Sequence, residues 1–225
     1  MIVLQGGSYL SFIHRMTINK GKSMNIWPMS LPSKGIAIGR LYQEIMRCKR
    51  CLSYRRTSRR PVPGEGNLSA RLMIVGEAPN NHGDRPFIGA TGRILEELLE
   101  EIGLSRRDVY LTNLIKCSIP TGRRPKPREV LLCAPYLEQE IKIVRPRILV
   151  PLGRYPTRYI LSKTNNARGA LHGIHGRIYR VKFSGLELIV IPTYHPAATF
   201  YNSRLKTVLE RDFSIIGVMV QKGVF

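Results

Sequence analysis

Nowhere among the 225 residues does an apolar run reach the roughly 18 residues that a membrane-crossing helix needs, so no membrane span is expected. Residues 1–14 lack the basic start and small-residue cleavage site of a secretory leader. A lipidation signal and a basic amphipathic helix are also missing, which removes the usual routes to a membrane surface. The chain is therefore expected in the cytoplasm. Acidic residues are scarce: 15 Asp and Glu stand against 36 Lys and Arg, a net charge of +21. Such an excess goes far beyond what solubility needs and attracts a polyanion, nucleic acid before anionic membrane. Cysteines number four. In a cytoplasmic chain long enough to bury a full core, they argue against a disulfide framework. No internal repeat is visible.

What is present is an alternation of strands and helices. Residues 1–35 carry scattered Gly, Ser, Lys and Met without sustained periodicity and read as a flexible extension, with Met16 and Met24 as alternative starts. The folded domain is expected over 36–225. Its first helix should cover 38–46, before Cys48-Lys49-Arg50-Cys51 and a basic loop. The run Leu72-Met73-Ile74-Val75 is apolar throughout, as a central parallel strand buried on both faces would be, and it stops at Gly76-Glu77-Ala78-Pro79. A helix opened by Thr91-Gly92 places Ile94, Leu95, Leu98, Leu99 and Ile102 on one face before Gly103 ends it. Further strands are expected at 109–111, ending at Thr112-Asn113, at 147–150, ending at Pro151-Leu152-Gly153, and at 188–191, ending at Thr193-Tyr194-His195. Helices should start near Pro127 and Tyr155, and a last one should carry Leu205, Val208, Leu209, Phe213 and Ile216. The expected fold is α/β, a three-layer α/β/α sandwich around a central four-stranded parallel sheet.

That topology already argues about chemistry. Ligands of open α/β sheets bind at the carboxyl ends of the strands, and three of the four ends here present Glu77, Asn113 and His195. A carboxylate to position water, an amide to read donors and acceptors, and an imidazole to stabilise a leaving group suit hydrolysis of a base or nucleotide. The cysteines form a short pair, Cys48 and Cys51, and two dispersed members, Cys117 and Cys133, a pattern for metal ligation. Spacing leaves zinc and an iron–sulfur cluster both open. Four protein thiolates leave no position for substrate, so either would be structural.

In order and spacing, the motifs resemble those of the family 4 uracil-DNA glycosylases. The match covers 41–213 and includes Cys48-x-x-Cys51, Val62-Pro63-Gly64-Glu65-Gly66-Asn67, Gly76-Glu77-Ala78-Pro79, Arg85-Pro86-Phe87-Ile88-Gly89 and Thr112-Asn113-Leu114-Ile115-Lys116-Cys117. It continues through Pro151-Leu152-Gly153, Arg168-Gly169 and Pro192-Thr193-Tyr194-His195-Pro196-Ala197-Ala198. The resemblance implies the uracil-DNA glycosylase fold, a [4Fe–4S] cluster on Cys48, Cys51, Cys117 and Cys133, and hydrolysis of deoxyuridine's N-glycosidic bond in DNA. It implies Glu77 as the acidic catalytic residue with Ala78 beside it in the substrate pocket, Phe87 as the surface on which uracil stacks, Asn113 as its reader and His195 as the second-motif histidine. Only Asn80-Asn81-His82-Gly83-Asp84 separates the first motif from Arg85-Pro86-Phe87, where the family usually carries a longer acidic segment. Asn-His-Gly there is similar to the related family 5 enzymes, which accept more bases. Asp84 is the candidate to supply the missing acid, or else a tether for Arg85.

No lysine nucleophile is indicated, so a monofunctional glycosylase that leaves an abasic site in base excision repair is expected. The alternatives are a family 5-like enzyme and a non-catalytic DNA binder on the same fold. The expected partner is uracil-containing DNA, single- or double-stranded, with replication or repair proteins as candidate associates of a monomer. Arg55, Arg56, Arg59, Arg60, Arg204 and Lys206 are candidates for phosphate contact. Phe200 and Tyr201 can serve as a wedge filling the gap left by a flipped base, or as core.

Overall fold

The strand Leu72–Gly76 (β2) is buried at every position because both of its edges and both of its faces are covered. In the computed structural model, which describes residues 30–51, 60–80, 84–120, 123–164 and 169–222, it pairs in parallel with Tyr110–Asn113 (β3) on one side and Ile148–Pro151 (β4) on the other. Leu186–Val190 (β6) then pairs in parallel with β4. This is the expected four-stranded parallel core. The whole sheet is larger and mixed: Glu65–Gly66 (β1) runs antiparallel to β3, and Tyr179–Phe183 (β5) antiparallel to β6, giving the order β1-β3-β2-β4-β6-β5. The two-residue β1 is too short to show a period. β5 does alternate, with Val181 and Phe183 buried and Arg180 and Lys182 exposed. It joins β6 through Ser184-Gly185, both at positive φ (51° and 80°), the two-residue turn that suits hairpin twist.

Alternation along β2 sends Leu72 and Ile74 to one face and Met73 and Val75 to the other. The first face packs on helices Gly89–Glu101 (α2), through Leu95, Leu98 and Leu99, and Leu205–Gln221 (α6), through Leu209, Phe213 and Ile216. The second packs on Leu31–Met46 (α1), Pro127–Val144 (α3) and Arg154–Ser162 (α4). Two cores, one on each side of the sheet, make the three layers. A four-residue helix, Leu171–Ile174 (α5), precedes β5.

α1 begins seven residues before the expected 38, so the boundary drawn at residue 35 falls inside it. Lys34 is the reason. Its buried ammonium donates to the carbonyl of Leu68 (3.0 Å) and to that of Val144 (2.8 Å), the last residue of α3, which anchors a turn interrupted in sequence by Gly35 and Gly39. No helix among the described residues is long and apolar enough to cross a membrane.

Candidate active site

Parallel pairing puts Gly76 of β2 directly opposite Asn113 of β3. The ladder then runs past the strand ends, with Leu114 N–H donating to the Gly76 carbonyl (2.9 Å) and Ile115 N–H to the Glu77 carbonyl (3.0 Å), so Glu77 leaves the sheet on a fixed backbone. Asn113 is 2% exposed. A Cβ on Gly76 would collide with Asn113 Oδ1 and stand 2.7 Å from Phe87 Cζ, so the absent side chain is what lets amide and ring share this space. Asn113 Nδ2 is buried without a hydrogen-bond partner among the described residues. An orphaned buried amide donor costs about 1–3 kcal/mol, which marks it as a group awaiting a ligand.

Phe87 sits at φ 52°, a left-handed conformation unusual for an aromatic residue. Its carbonyl packs where a Cβ on Gly92 would be, and its ring lies 6.0 Å from that of His195 with the planes 25° apart. His195 follows β6 and opens a 3-10 turn, Pro196–Phe200, by accepting Ala197 N–H on Nδ1 at 3.2 Å. Burial pushes its pKa down to about 4. The ring is therefore neutral near pH 7, and because Nδ1 accepts, its proton is on Nε2, free to donate. Thr193, two residues earlier, donates to buried Asp212 of α6, which also meets His175 Nδ1 at 3.0 Å, pinning the segment that carries His195. Glu77 is half-buried. Burial raises its pKa above the usual carboxylate value, while Arg124 pulls the other way.

Other candidates are placed differently. Asp84 is exposed, and Arg85 beside it is tethered by Glu65, whose Oε2 and Oε1 accept from Nε (2.6 Å) and Nη2 (3.1 Å). Ala78 is half-buried and packs against the core on the Met73 and Val75 side of the sheet. Phe200 and Tyr201 are 56% and 93% exposed at the end of the 3-10 turn, so neither is core. Arg60, Arg204 and Lys206 are exposed, while Arg55, Arg56 and Arg59 lie outside the described residues.

All four cysteines are free thiols, three of them buried and Cys48 partly so. They come from three separate places: the end of α1, the segment after β3 and the body of α3. They face one another: Cys51 hydrogen-bonds Cys117, and negative charge on Cys48, Cys51 or Cys133 would raise the Cys117 pKa. Burial lifts Cys133 to about 11, although Lys116 N–H donates to its sulfur at 3.1 Å. Such thiols are held together at a price in ionisation that a bound cation relieves. Among the described residues no three His, Cys, Asp or Glu side chains are arranged to hold a metal ion. By chemistry, four cysteines gathered from three segments form a donor set that suits a thiolate-bound metal centre, zinc or an iron–sulfur cluster.

Sequence reasoning passed over Lys116 and Glu140. Lys116 is 1% and Glu140 0% exposed, and they meet at 2.6 Å. The ammonium also donates to the Asn113 carbonyl (2.8 Å) and Thr112 Oγ1 (2.6 Å), fixing the end of β3 from below. A lysine in the run Asn113-Leu114-Ile115-Lys116-Cys117, flanked by buried positions, was the available signal.

Residues 63–213 match the family described as the uracil DNA glycosylase superfamily. The type-4 uracil-DNA glycosylase of Sulfurisphaera tokodaii is 42% identical over 185 residues, covering 80% of this chain and 83% of the relative. That of Saccharolobus solfataricus is 42% identical over 174 residues, 76% and 80% of the two chains. A type-5 uracil-DNA glycosylase of Pyrobaculum aerophilum is 34% identical over 192 residues, 72% and 82%. Taken with a strand-end site that assembles a carboxylate, an orphaned amide and a neutral imidazole, this likeness over most of both chains makes the protein a member of the uracil DNA glycosylase superfamily, of its type-4 branch.

Proposed function

We infer that the protein removes uracil from DNA by hydrolysing the N-glycosidic bond of deoxyuridine, leaving an abasic site for repair. The observation that carries this reading is the buried, unpartnered Nδ2 of Asn113 between Phe87 and the Glu77 strand end. A flipped uracil stacked on Phe87 would accept that donor on its ring carbonyl and give its imide N–H to Oδ1, offsetting the few kcal/mol spent on unstacking. Cytosine presents an amine where uracil has a carbonyl and would leave Nδ2 unpaired.

As the glycosidic bond lengthens, positive charge grows on the sugar and negative charge on the uracil oxygens. Nε2–H of neutral His195 donates to the developing oxyanion. Glu77, as a carboxylate, favours the sugar cation and orients the water whose oxygen bonds to the anomeric carbon. Uracil departs as an anion and takes its proton afterwards. Lys116 is committed to Glu140, and no lysine is assigned as a nucleophile, so base loss without strand cleavage is the expected outcome. Cys48, Cys51, Cys117 and Cys133 would hold a [4Fe–4S] cluster, whose contribution when bound is to tie three distant segments together. The protein acts as a monomer in the cytoplasm, on single- or double-stranded DNA.

The decisive experiment incubates purified protein with oligonucleotides bearing uracil, hypoxanthine, xanthine or a thymine mispair, then cleaves abasic sites with alkali. Cleavage at uracil alone is the expected result. Comparable cleavage at hypoxanthine or xanthine would assign the broader type-5 behaviour instead, and cleavage at none would leave a DNA binder.

A further inference from the structure

The loop that carries Phe87 is held from behind by one side chain. Arg106, in the turn before β3, donates from Nη1 to the Phe87 carbonyl (3.0 Å) and from Nη2 to the Pro86 carbonyl (2.8 Å). Nη2 also meets Glu65 Oε1 at 2.6 Å, and Nη1 reaches Glu96 Oε1 at 3.3 Å. Glu65, at the end of the sheet on β1, binds Arg85 with both oxygens, so one carboxylate orients both arginines flanking the loop. The contacts join β1, residues 85–87, α2 and the turn into β3.

Phe87 has a specific need for this. At φ 52° its backbone is strained, and its carbonyl, turned against Gly92, takes its side-chain hydrogen bond from Arg106. A planar guanidinium can serve two adjacent carbonyls and a carboxylate at once, which an ammonium cannot. The ring on the other side of the same residue lies on Gly76 and runs nearly parallel to His195, so anchoring the carbonyl sets the ring plane.

We propose that Arg106, oriented by Glu65, is the positioning residue that sets the plane of Phe87 and thereby the base affinity of the pocket. The proposal rests on Phe87 being the surface on which the base stacks. It adds that stacking is controlled from a residue that touches neither base nor DNA.

The test uses the full-length protein with Arg106→Gln, Arg106→Lys, Glu65→Gln, Phe87→Ala and the Arg106→Gln/Phe87→Ala double variant. Readouts are the single-turnover rate on a single-stranded uracil oligonucleotide, the inhibition constant of free uracil, affinity for abasic DNA and the melting temperature. Arg106→Gln should slow excision by about 10- to 100-fold, as for displacement of a positioning group by about an ångström. It should weaken uracil inhibition while leaving abasic-DNA affinity within about twofold, because phosphate contacts are untouched. Arg106→Lys and Glu65→Gln should fall between, and they carry the test if Arg106→Gln folds poorly. The double variant should be no slower than Phe87→Ala, since Arg106 acts through Phe87. Additive losses, or Arg106→Gln with unchanged rate and inhibition beside an impaired Phe87→Ala, would overturn the clamp alone. Phe87→Ala indistinguishable from wild type would remove the stacking role and the clamp with it.

Discussion

In the reading proposed above, a single atom of Asn113 separates recognition from repulsion. Asn113→Asp replaces the orphaned Nδ2 donor with a second oxygen, setting a carboxylate against a uracil carbonyl. Loss of a preorganised donor should remove about 2–4 kcal/mol of transition-state stabilisation. The single-turnover excision rate should fall accordingly, with DNA affinity little changed, and weak cytosine excision should emerge. Wild-type rates in this variant would sink the assignment. Glu77 and His195 allow a second test through pH. Burial raises Glu77 above the carboxylate norm and lowers His195 to about 4, so the imidazole is neutral near pH 7 and Glu77 holds its proton more tightly than a free carboxylate does. Activity should need ionised Glu77, be full above its pKa and decline below it. Glu77→Gln should be slow and should lose that acid limb, and an unchanged limb in a pH–rate profile would assign it elsewhere.

Between elements, the Lys116–Glu140 pair links the end of β3 to α3. Glu140 also accepts from Gly64 N–H at 2.9 Å and from Thr112 Oγ1 at 2.7 Å, so its charge is satisfied from three directions. Lys116→Met would leave a buried carboxylate without its cation. It should cost about 3–5 kcal/mol, read from the shift in the urea unfolding curve, and more than Glu140→Gln/Lys116→Met together. If the single variant is as stable as wild type, the ion pair is not what secures this joint. The same contact holds Asn113 by its backbone from both sides, while its side-chain Nδ2 has no partner among the described residues.

For the whole molecule, the excess of +21 predicts DNA binding governed by phosphate. Log affinity should fall linearly with log salt, by about 0.7 per phosphate contact on single strands and 0.9 on duplex. Arg204→Ala with Lys206→Ala should reduce the slope by about one to two such contacts, measured by fluorescence anisotropy. An unchanged slope would exclude this part of the surface. The thiols make a second molecule-wide prediction. Protein purified without oxygen should be brown and contain iron, and Cys117→Ala should lower iron content and melting temperature before it alters excision by the folded fraction. Colourless protein with stoichiometric zinc would refute the cluster.

The sequence by itself determined the four parallel core strands and the residues at their carboxyl ends, but neither antiparallel edge strand, β1 or β5. Fully buried strands are apolar runs, and parallel topology brings their ends to one edge whatever the order of the strands. Glu77, Asn113 and His195 were therefore legible before any coordinate. Phe87 was legible only through the motif and the strand-end loop that contain it, since a lone phenylalanine reads more readily as core. What only the tertiary structure decided depends on distant partners that no local period records. Arg85 is held by Glu65, 20 residues earlier in the chain, while Asp84 stands exposed. α1 starts early because Lys34 finds carbonyls that lie 34 and 110 residues away. The neutral state of His195 comes from burial, and its tautomer from one amide of the following turn. Likewise, the Asn113 amide and the Phe87 ring fit together because Gly76, in a strand where larger apolar residues are the rule, carries no side chain to keep them apart.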